Sequence, residues 1–233
     1  IKRDGTFRAR LVACGYSQIP GVDFQEAYSP VINDVTIRIL LIMIIVYNYS
    51  YMISDVESAF LNGVLTEEIY MNCPKGMEGV EDDDALLLLK ALYGLVQSAR
   101  VYFKTFKGVM EKMQFEQSQM DPCLFVREGS NGHWTYLAVW VDDCLIVGQE
   151  KDVKQTLEDF KQHFNITTKD TLEDYLSCEI NLNKEKGTVW IGQPDMMKKM
   201  QSKFGEWVKG FKSTNTPGPP HTTIRRPKEG EAK

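Results

Sequence analysis

Two adjacent aspartates, Asp142 and Asp143, stand between two runs of strand-forming residues in the stretch TYLAVWVDDCLIVG, residues 135–148. Runs of β-branched and aromatic residues predict strands, so this stretch predicts a β-hairpin with both aspartates at or near its turn. Aspartate is common in turns. Two neighbouring carboxylates in an apolar setting otherwise need a cation or a partner. At this point a plain turn and a metal-binding edge both explain the pair.

A third aspartate, Asp55, ends another short apolar run, YMIS. If this run is a strand beside the hairpin, the three carboxylates meet at one end of a sheet, which favours a metal site. Proteins hold Mg²⁺ with one or two carboxylates and substrate phosphates, and Mn²⁺ accepts the same oxygen ligands. Two such ions can activate a hydroxyl and stabilise a leaving pyrophosphate. Asp55, Asp142 and Asp143 are therefore the predicted catalytic and metal-binding residues, with Mg²⁺ as cofactor and Mn²⁺ as its substitute.

Helical periodicity surrounds the predicted strands. Asn33, Asp34 or Thr36 could cap a helix that runs to about Tyr49, is apolar on most sides and is therefore buried. A helix is predicted from about Ala99, with apolar residues at Tyr102, Phe106, Val109, Met110 and Met113. A second is predicted after Gly148, with Val153, Leu157, Phe160 and Phe164 on one face. A third begins at Pro194 and carries Met197, Met200 and Phe204. Strands are predicted at residues 11–13, 175–182 and 188–191. The order strand, helix, hairpin, helix, strand predicts an α+β fold, an antiparallel sheet backed by helices.

Composition excludes several other classes. The five cysteines are scattered without a CxxC pair, which disfavours a zinc site and fits a reducing compartment. Neither a GxxxxGK[ST] nor an HExxH motif is present. The longest apolar run, residues 39–47, is far shorter than the ~20 residues of a membrane helix, so no membrane partner is expected. A chain that starts without Met is expected to be a fragment.

The net charge of −5 argues mildly against a nucleic-acid binder. Basic residues nevertheless gather at both ends, and an acidic run lies at residues 81–84. Basic ends could contact phosphate while the acidic centre holds metal. The last residues, 213–233, are rich in Pro, Thr and charge and are predicted to be disordered.

Seven blocks follow one another along nearly the whole chain. They are RARLVACGYSQIPGVDFQEAYSPV, SDVESAFLNGVLTEEIYMNCPKG, LYGLVQSARVYFKTF, MDPCLFV, YLAVWVDD, YLSCEI and IGQPDMMKKMQSKFG. In this order they resemble the blocks of copia-type retrotransposon reverse transcriptases, among them LYGLKQAPRxW, SDPCLY, YVDD and FLGIEI. One block would be weak evidence, because xxDD occurs by chance, but seven in order are specific.

The resemblance implies a right-hand polymerase. Residues 1–50 would be fingers, residues 51–185 palm with a fingers segment at about 62–92, and residues 186–233 the start of a thumb or connection with a disordered tail. Asp55 would bind both metal ions, and Asp142 and Asp143 would complete the site.

The resemblance also implies roles in nucleotide binding. Phe60 matches the aromatic residue that excludes the ribose 2′-hydroxyl, although it could also be a core residue. Arg10 matches a basic residue that contacts the incoming triphosphate, although it could be a solvated strand charge. Tyr93 and Gly94 would line the nucleotide pocket and the template strand, and Trp140 and Val141 would lie by the primer.

The implied function is RNA-directed DNA polymerisation from a primer 3′ end. Expected partners are an RNA or DNA template-primer, deoxynucleoside triphosphates, and the integrase and RNase H regions of a parent polyprotein. The expected location is a cytoplasmic virus-like particle, with the product bound for the nucleus. Two alternatives stay open: a catalytically inactive relic that binds nucleic acid at most, and an unrelated metal nuclease.

The sequence departs from the family pattern at several positions. Trp140 replaces the Tyr of YVDD, Val96 replaces a Lys, and Ser98-Ala99 replaces Ala-Pro. Ser177-Cys178 replaces the Gly of FLGIEI, and Cys14 stands where Lys or Arg is common. These departures favour the relic, whereas the three aspartates favour the polymerase.

Overall fold

The computed structural model describes residues 5, 7, 9–81 and 83–209. The chain forms two compact units, Ile1–Gly192 and Gln193–Lys233. Among the described residues, every helix falls short of the length and apolarity that a membrane crossing demands. The tail predicted to be disordered, residues 213–233, lies outside the described residues.

The first unit is a mixed α/β structure built on an antiparallel sheet. Its strands are β1 (Ser50–Val56), β2 (Tyr70–Asn72), β3 (Ala85–Leu87), β4 (Glu116–Gln117), β5 (Leu124–Glu128), β6 (Trp134–Trp140), β7 (Asp143–Gly148), β8 (Ile166–Lys169), β9 (Glu173–Tyr175), β10 (Cys178–Asn183) and β11 (Thr188–Gly192). The main sheet has the order β4-β5-β6-β7-β1-β8, and its neighbours pair antiparallel. The predicted sheet and its hairpin at the two aspartates are confirmed.

Three helices of the first unit pack their apolar faces into the core of this sheet. They are α1 (Asp34–Val46), α2 (Ser98–Lys112) and α3 (Glu150–Lys161). The stripes predicted for α2 and α3 are buried, with Phe106 and Phe160 fully inaccessible. Helical spacing puts such residues on one face, and burying each large side chain stabilises the fold by about 1.5–3 kcal/mol.

Helix α1 departs from its predicted burial. Its N-cap is confirmed, because the side chain of Asn33 accepts a hydrogen bond from the Val35 N–H at 3.0 Å. The inner face is buried at Ile37, Leu40, Leu41 and Ile44, but a second stripe is 51–65% exposed: Val35, Ile39, Ile42, Val46. The prediction of a helix buried on most sides was therefore wrong for the outer face. Residues 39–46 are all apolar, so beyond Arg38 the helix has no polar residue from which the solvent side could be recognised.

Two smaller sheets accompany the main one, β2-β3 and β11-β10-β9. The strand predicted at residues 175–182 is interrupted, because Leu176 and Ser177 form a tight turn between β9 and β10, with φ of 52° and 59°. The strand predicted at residues 11–13 was also wrong, since these described residues form none. This segment instead pairs with a loop, where the Ala13 N–H donates to the Tyr93 carbonyl at 2.7 Å.

The second unit contains α4 (Pro194–Val208). Pro194 occupies the first turn, as predicted, because proline lacks an N–H and the first turn of a helix needs none there.

Candidate active site

Asp55 and Asp143 lie directly opposite each other on the adjacent strands β1 and β7, at one end of the main sheet. Strands β1 and β7 keep an unbroken antiparallel register from Ser50 opposite Gly148 to Asp55 opposite Asp143. Directly opposed residues in such a pair share a face, with Cβ atoms about 4.5–5.5 Å apart. The prediction that these two carboxylates meet at a sheet end is confirmed, and both side chains are partly exposed.

Asp142 lies in the hairpin turn that joins β6 to β7. Trp140 and Asp143 are register partners, which leaves Val141 and Asp142 as a two-residue loop. The Val56 N–H donates to the Asp142 carbonyl at 2.9 Å. The backbone of the turn is thus tied to the residue that follows Asp55, so all three aspartates belong to one rigidly connected region.

Val141 carries the backbone strain of this turn. Its φ is 54°, a value that β-branched residues adopt rarely because the side chain crowds the backbone. Strained backbone concentrates at functional sites, where the surrounding structure holds it in place. Val141 and Trp140 are 36% and 40% exposed, so two apolar side chains are presented at the hairpin tip next to the carboxylates.

The carboxylates repel one another. Burial, followed by the negative charges of Asp142 and Asp55, raises the pKa of Asp143 to about 6, and only Lys169 opposes the effect. An excess of negative charge on oxygen ligands is the condition under which a hard divalent cation binds favourably. The donor set therefore fits such an ion.

The three carboxylates are not, however, assembled into a finished ligand set. Within the described residues, no group of three His, Cys, Asp or Glu side chains is arranged to hold a metal ion. The register bears out the opposition of Asp55 and Asp143, and the convergence of all three carboxylates on a metal stays a prediction.

Three residues predicted to bind nucleotide form one line of contacts. The guanidinium carbon of Arg10 lies 5.2 Å from the ring centre of Tyr93. The ring of Tyr93 lies 4.9 Å from that of Phe60, and Phe60 contacts Tyr102 edge-on at 6.3 Å. Phe60 reaches this position because Ser58, at φ 52°, turns the chain immediately after β1. Arg10, Tyr93 and Phe60 are thus brought together as one surface.

Gly94 has a structural explanation of its own. Its φ is +94°, and a Cβ atom there would lie 2.1 Å from the Ala13 carbonyl oxygen. In the same way, a Cβ atom on Gly15 would lie 2.0 Å from the carbonyl oxygen of Gly94. Only glycine permits this backbone approach, and the predicted contact of Gly94 with nucleotide or template stays a prediction.

Sequence reasoning gave no role to two buried polar residues. The carboxylate of Asp121 accepts hydrogen bonds from the Asn33 N–H, the Thr36 hydroxyl and the Cys123 N–H, at 2.9, 2.6 and 3.0 Å. Gln97 accepts from Gln18 and donates to the Asp23 carbonyl, both at 3.1 Å. Asp121 stands in the MDPCLFV block and Gln97 in the LYGLVQ block, so the matched blocks were the signal available for both.

Some departures from the family pattern fit their surroundings. The Ser98 hydroxyl donates to the Leu92 carbonyl at 2.5 Å, so it is satisfied where the family has alanine. At position 96 the backbone N–H donates to the Gln18 side chain at 2.8 Å, a bond that does not depend on the side chain present there. The Val96 side chain itself is 38% exposed.

Comparison with known proteins defines the class. The family described as reverse transcriptase (RNA-dependent DNA polymerase) matches residues 1–217. The chain belongs to this family, as the seven blocks indicated. No solved structure matches the chain significantly.

The relatives are transposon polyproteins of the copia type. The chain is 30% identical to the retrovirus-related Pol polyprotein from transposon TNT 1-94 of Nicotiana tabacum, over 97% of this chain and 17% of the polyprotein. It is 37% identical to that from transposon RE2 of Arabidopsis thaliana, over 74% of this chain and 12% of the polyprotein. The chain therefore corresponds to the reverse transcriptase domain and spans less than a fifth of either relative.

Proposed function

We propose that this domain is an RNA-directed DNA polymerase that adds deoxynucleotides to a primer 3′ end, with Asp55, Asp142 and Asp143 as its catalytic carboxylates. The observation that carries the proposal is the register of β1 and β7, which opposes Asp55 to Asp143 beside the turn that carries Asp142. Membership of the reverse transcriptase family supports the same reaction.

The carboxylates would hold two divalent cations, Mg²⁺ or Mn²⁺. When bound, these ions supply Lewis-acid stabilisation of the attacking and leaving oxygens. Asp143 must be ionised to serve as a ligand, which its pKa of about 6 allows at neutral pH. The hydrogen bond from Val56 to the Asp142 carbonyl keeps the turn in place, so the protein contributes mainly position and charge.

Arg10, Tyr93 and Phe60 would bind the incoming nucleotide. The guanidinium of Arg10 suits the triphosphate, because arginine binds phosphate oxygens with two parallel hydrogen bonds. The ring of Tyr93 makes a cation–π contact with this guanidinium. Phe60, held between Tyr93 and Tyr102, would exclude a ribose 2′-hydroxyl by its bulk. Trp140 and Val141, exposed at the hairpin tip, would contact the primer end.

We also propose the division into fingers and palm. A second hydrophobic cluster, separate from the core of the main sheet, joins Ala13 to the segment at about 62–92 and Leu95: Ala13, Leu65, Ile69, Ala91, Leu95. A separate core for these segments supports their assignment to the fingers. Residues 1–50 would belong to the fingers and residues 51–185 to the palm, with helix α1 packed on the core of the main sheet. Residues 186–233 would begin the thumb or connection.

The wider setting is proposed from the relatives, whose names describe Pol polyproteins of transposons. The domain would act on an RNA or DNA template-primer with deoxynucleoside triphosphates, alongside integrase and RNase H regions of the same polyprotein. Its site of action would be a cytoplasmic virus-like particle, and its product would pass to the nucleus.

An inactive relic is the second candidate. The observations that favour it are the net charge of −5 and, in the described residues, the lack of a preassembled three-ligand metal set. A relic would fold and bind nucleic acid weakly at most, and it would show no metal-dependent turnover.

Primer extension on an RNA template separates these candidates. The folded chain is incubated with an annealed DNA primer and deoxynucleotides in Mg²⁺ and in Mn²⁺, beside Asp142→Asn and, as a control, Asp34→Asn on the exposed face of α1. Extension that is lost only in Asp142→Asn supports the polymerase. No extension by the wild type, alone or within the longer polyprotein, would support the relic, and primer shortening would support a nuclease.

A further inference from the structure

Tyr102 is buried in the aromatic part of the core. It lies on α2 and is 2% exposed. Its ring contacts Phe60, Phe106 and Phe164 at 6.0–6.4 Å between ring centres. As a packing residue it needs no polar atom, so phenylalanine would fill the same space.

The hydroxyl of Tyr102 has no hydrogen-bond partner in the described part of the chain. Leaving a buried hydroxyl unpaired is unfavourable, because the group loses its hydrogen bonds to water and gains none in return. A polar atom kept in such a place calls for an explanation, and one explanation is a partner that is present only in another state of the site.

The groups around the Tyr102 hydroxyl indicate which side chain that partner is. Burial raises the pKa of Tyr102 far above its usual range, and the charges of Asp142 and Asp55 add to the effect after the Cys144 thiol. Tyr102 and Val141, the residue before Asp142, line the same small cavity. This cavity has a volume of about 20 Å³ and is also lined by Val139. A water molecule needs at least about 10–15 Å³ of such space.

We propose that Tyr102 is a positioning residue for Asp142. Its hydroxyl donates a hydrogen bond to the Asp142 carboxylate, directly or through one water in this cavity, when the carboxylates hold divalent cations. The bond would fix the Asp142 carboxylate for a ligand set that the described residues do not hold preassembled. Outer groups of this kind orient metal ligands and raise affinity for the ion. The inference rests on the proposed function, because it assumes that the carboxylates bind metal.

The test compares Tyr102→Phe with the wild type and with Tyr136→Phe, a partly buried tyrosine near the far end of β6. Three quantities are measured: Mn²⁺ affinity by electron paramagnetic resonance, the rate of single-nucleotide incorporation, and the unfolding midpoint. We expect Tyr102→Phe to bind Mn²⁺ about tenfold more weakly and to incorporate about tenfold more slowly, with an unchanged nucleotide KM. Its unfolding midpoint should equal or slightly exceed that of the wild type, since an unpaired hydroxyl is removed.

Equal Mn²⁺ affinity in Tyr102→Phe, Tyr136→Phe and the wild type would overturn the inference. A clearly lowered unfolding midpoint in Tyr102→Phe would also overturn it, because the hydroxyl would then have a structural partner in the resting fold. If the wild type binds Mn²⁺ but extends no primer, the proposed function fails while weaker Mn²⁺ binding by Tyr102→Phe would still support the positioning role. The two failures are therefore distinguishable.

Discussion

The backbone N–H of Val56 donates to the carbonyl of Asp142 at 2.9 Å. Val56 follows Asp55 and Asp142 precedes Asp143, so this bond links the two chain segments that carry the carboxylates. This bond continues the ladder between β1 and β7 by one step into the hairpin turn. Fixing the turn against β1 limits how far the carboxylates can separate despite their repulsion. The backbone of the turn is therefore hydrogen-bonded to the strand that carries Asp55.

The raised pKa of Asp143 should make the metal-free fold less stable as the pH rises through about 6. In the unfolded chain an aspartate titrates near 3.9, whereas Asp143 in the fold titrates at about 6. Between these values the folded state binds a proton that the unfolded state has released, so the stabilisation present below pH ~4 is lost by pH ~7. Asp143→Asn should thus stabilise the metal-free chain at pH 7.5 by about 1 kcal/mol, after discounting for solvent screening.

Urea unfolding at pH 5 and pH 7.5 in EDTA measures this effect, with Asp34→Asn as the control. The same change between the two pH values in Asp143→Asn and in the wild type would show that Asp143 is not the titrating group.

Asp121 should be essential for folding rather than for catalysis. Its carboxylate satisfies two backbone N–H groups and one hydroxyl at the start of α1 and the start of β5. Asp121→Ala would leave these buried donors unpaired and should cost about 2–4 kcal/mol of unfolding free energy. Asp34→Ala, which removes only an exposed ion pair with Arg38, should cost less than about 1 kcal/mol. Similar losses in the two variants, measured by urea unfolding, would refute this role.

Truncation of two adjacent residues of α1 should lower the unfolding free energy by very different amounts. Leu41 is fully buried and Ile42 is 55% exposed. Leu41→Ala should lower the unfolding free energy by about 2–5 kcal/mol, because it removes buried methyl groups and leaves a cavity. Ile42→Ala should lower it by less than about 1 kcal/mol. Chemical denaturation of both variants checks the orientation of the helix, and equal losses would mean that its outer face is covered in solution.

Ser177→Gly should stabilise the turn between β9 and β10. Leu176 and Ser177 both have positive φ, as a two-residue type I′ hairpin loop requires, and glycine suits such a loop best. Relief of this strain should raise the unfolding free energy by about 0.5–1 kcal/mol. Ser177→Ala keeps the strain and should bring no gain. A thermal melt in which the two variants shift equally would contradict the turn geometry.

The sequence could predict the hairpin at Asp142 and Asp143, because two apolar strands with polar residues between them define it locally. It could not prove that β1 lies beside β7, since strand neighbours depend on tertiary packing. The outer face of α1 was missed because Ile39 and Ile42 look like core residues. The turn at Leu176-Ser177 was missed because neither residue usually adopts positive φ.

Other site features needed both sequence and structure. The resemblance indicated Arg10, Phe60 and Tyr93 as nucleotide-binding residues. Only the structure shows that Tyr93 contacts both of the others. The unpaired hydroxyl of Tyr102 could not be foreseen, because its stripe on α2 is explained equally well by plain core packing.

The most direct test of the account is single-nucleotide incorporation opposite an RNA template by the wild type, Asp55→Asn and Asp34→Asn, in Mg²⁺. The opposed pair Asp55–Asp143 predicts that the wild type and Asp34→Asn incorporate at similar rates. Asp55→Asn should fold normally and lose at least about a hundredfold in rate. Wild-type incorporation by Asp55→Asn, or a folded wild-type chain that incorporates nothing in Mg²⁺ or Mn²⁺, would contradict the claim that these strand ends form a polymerase active site.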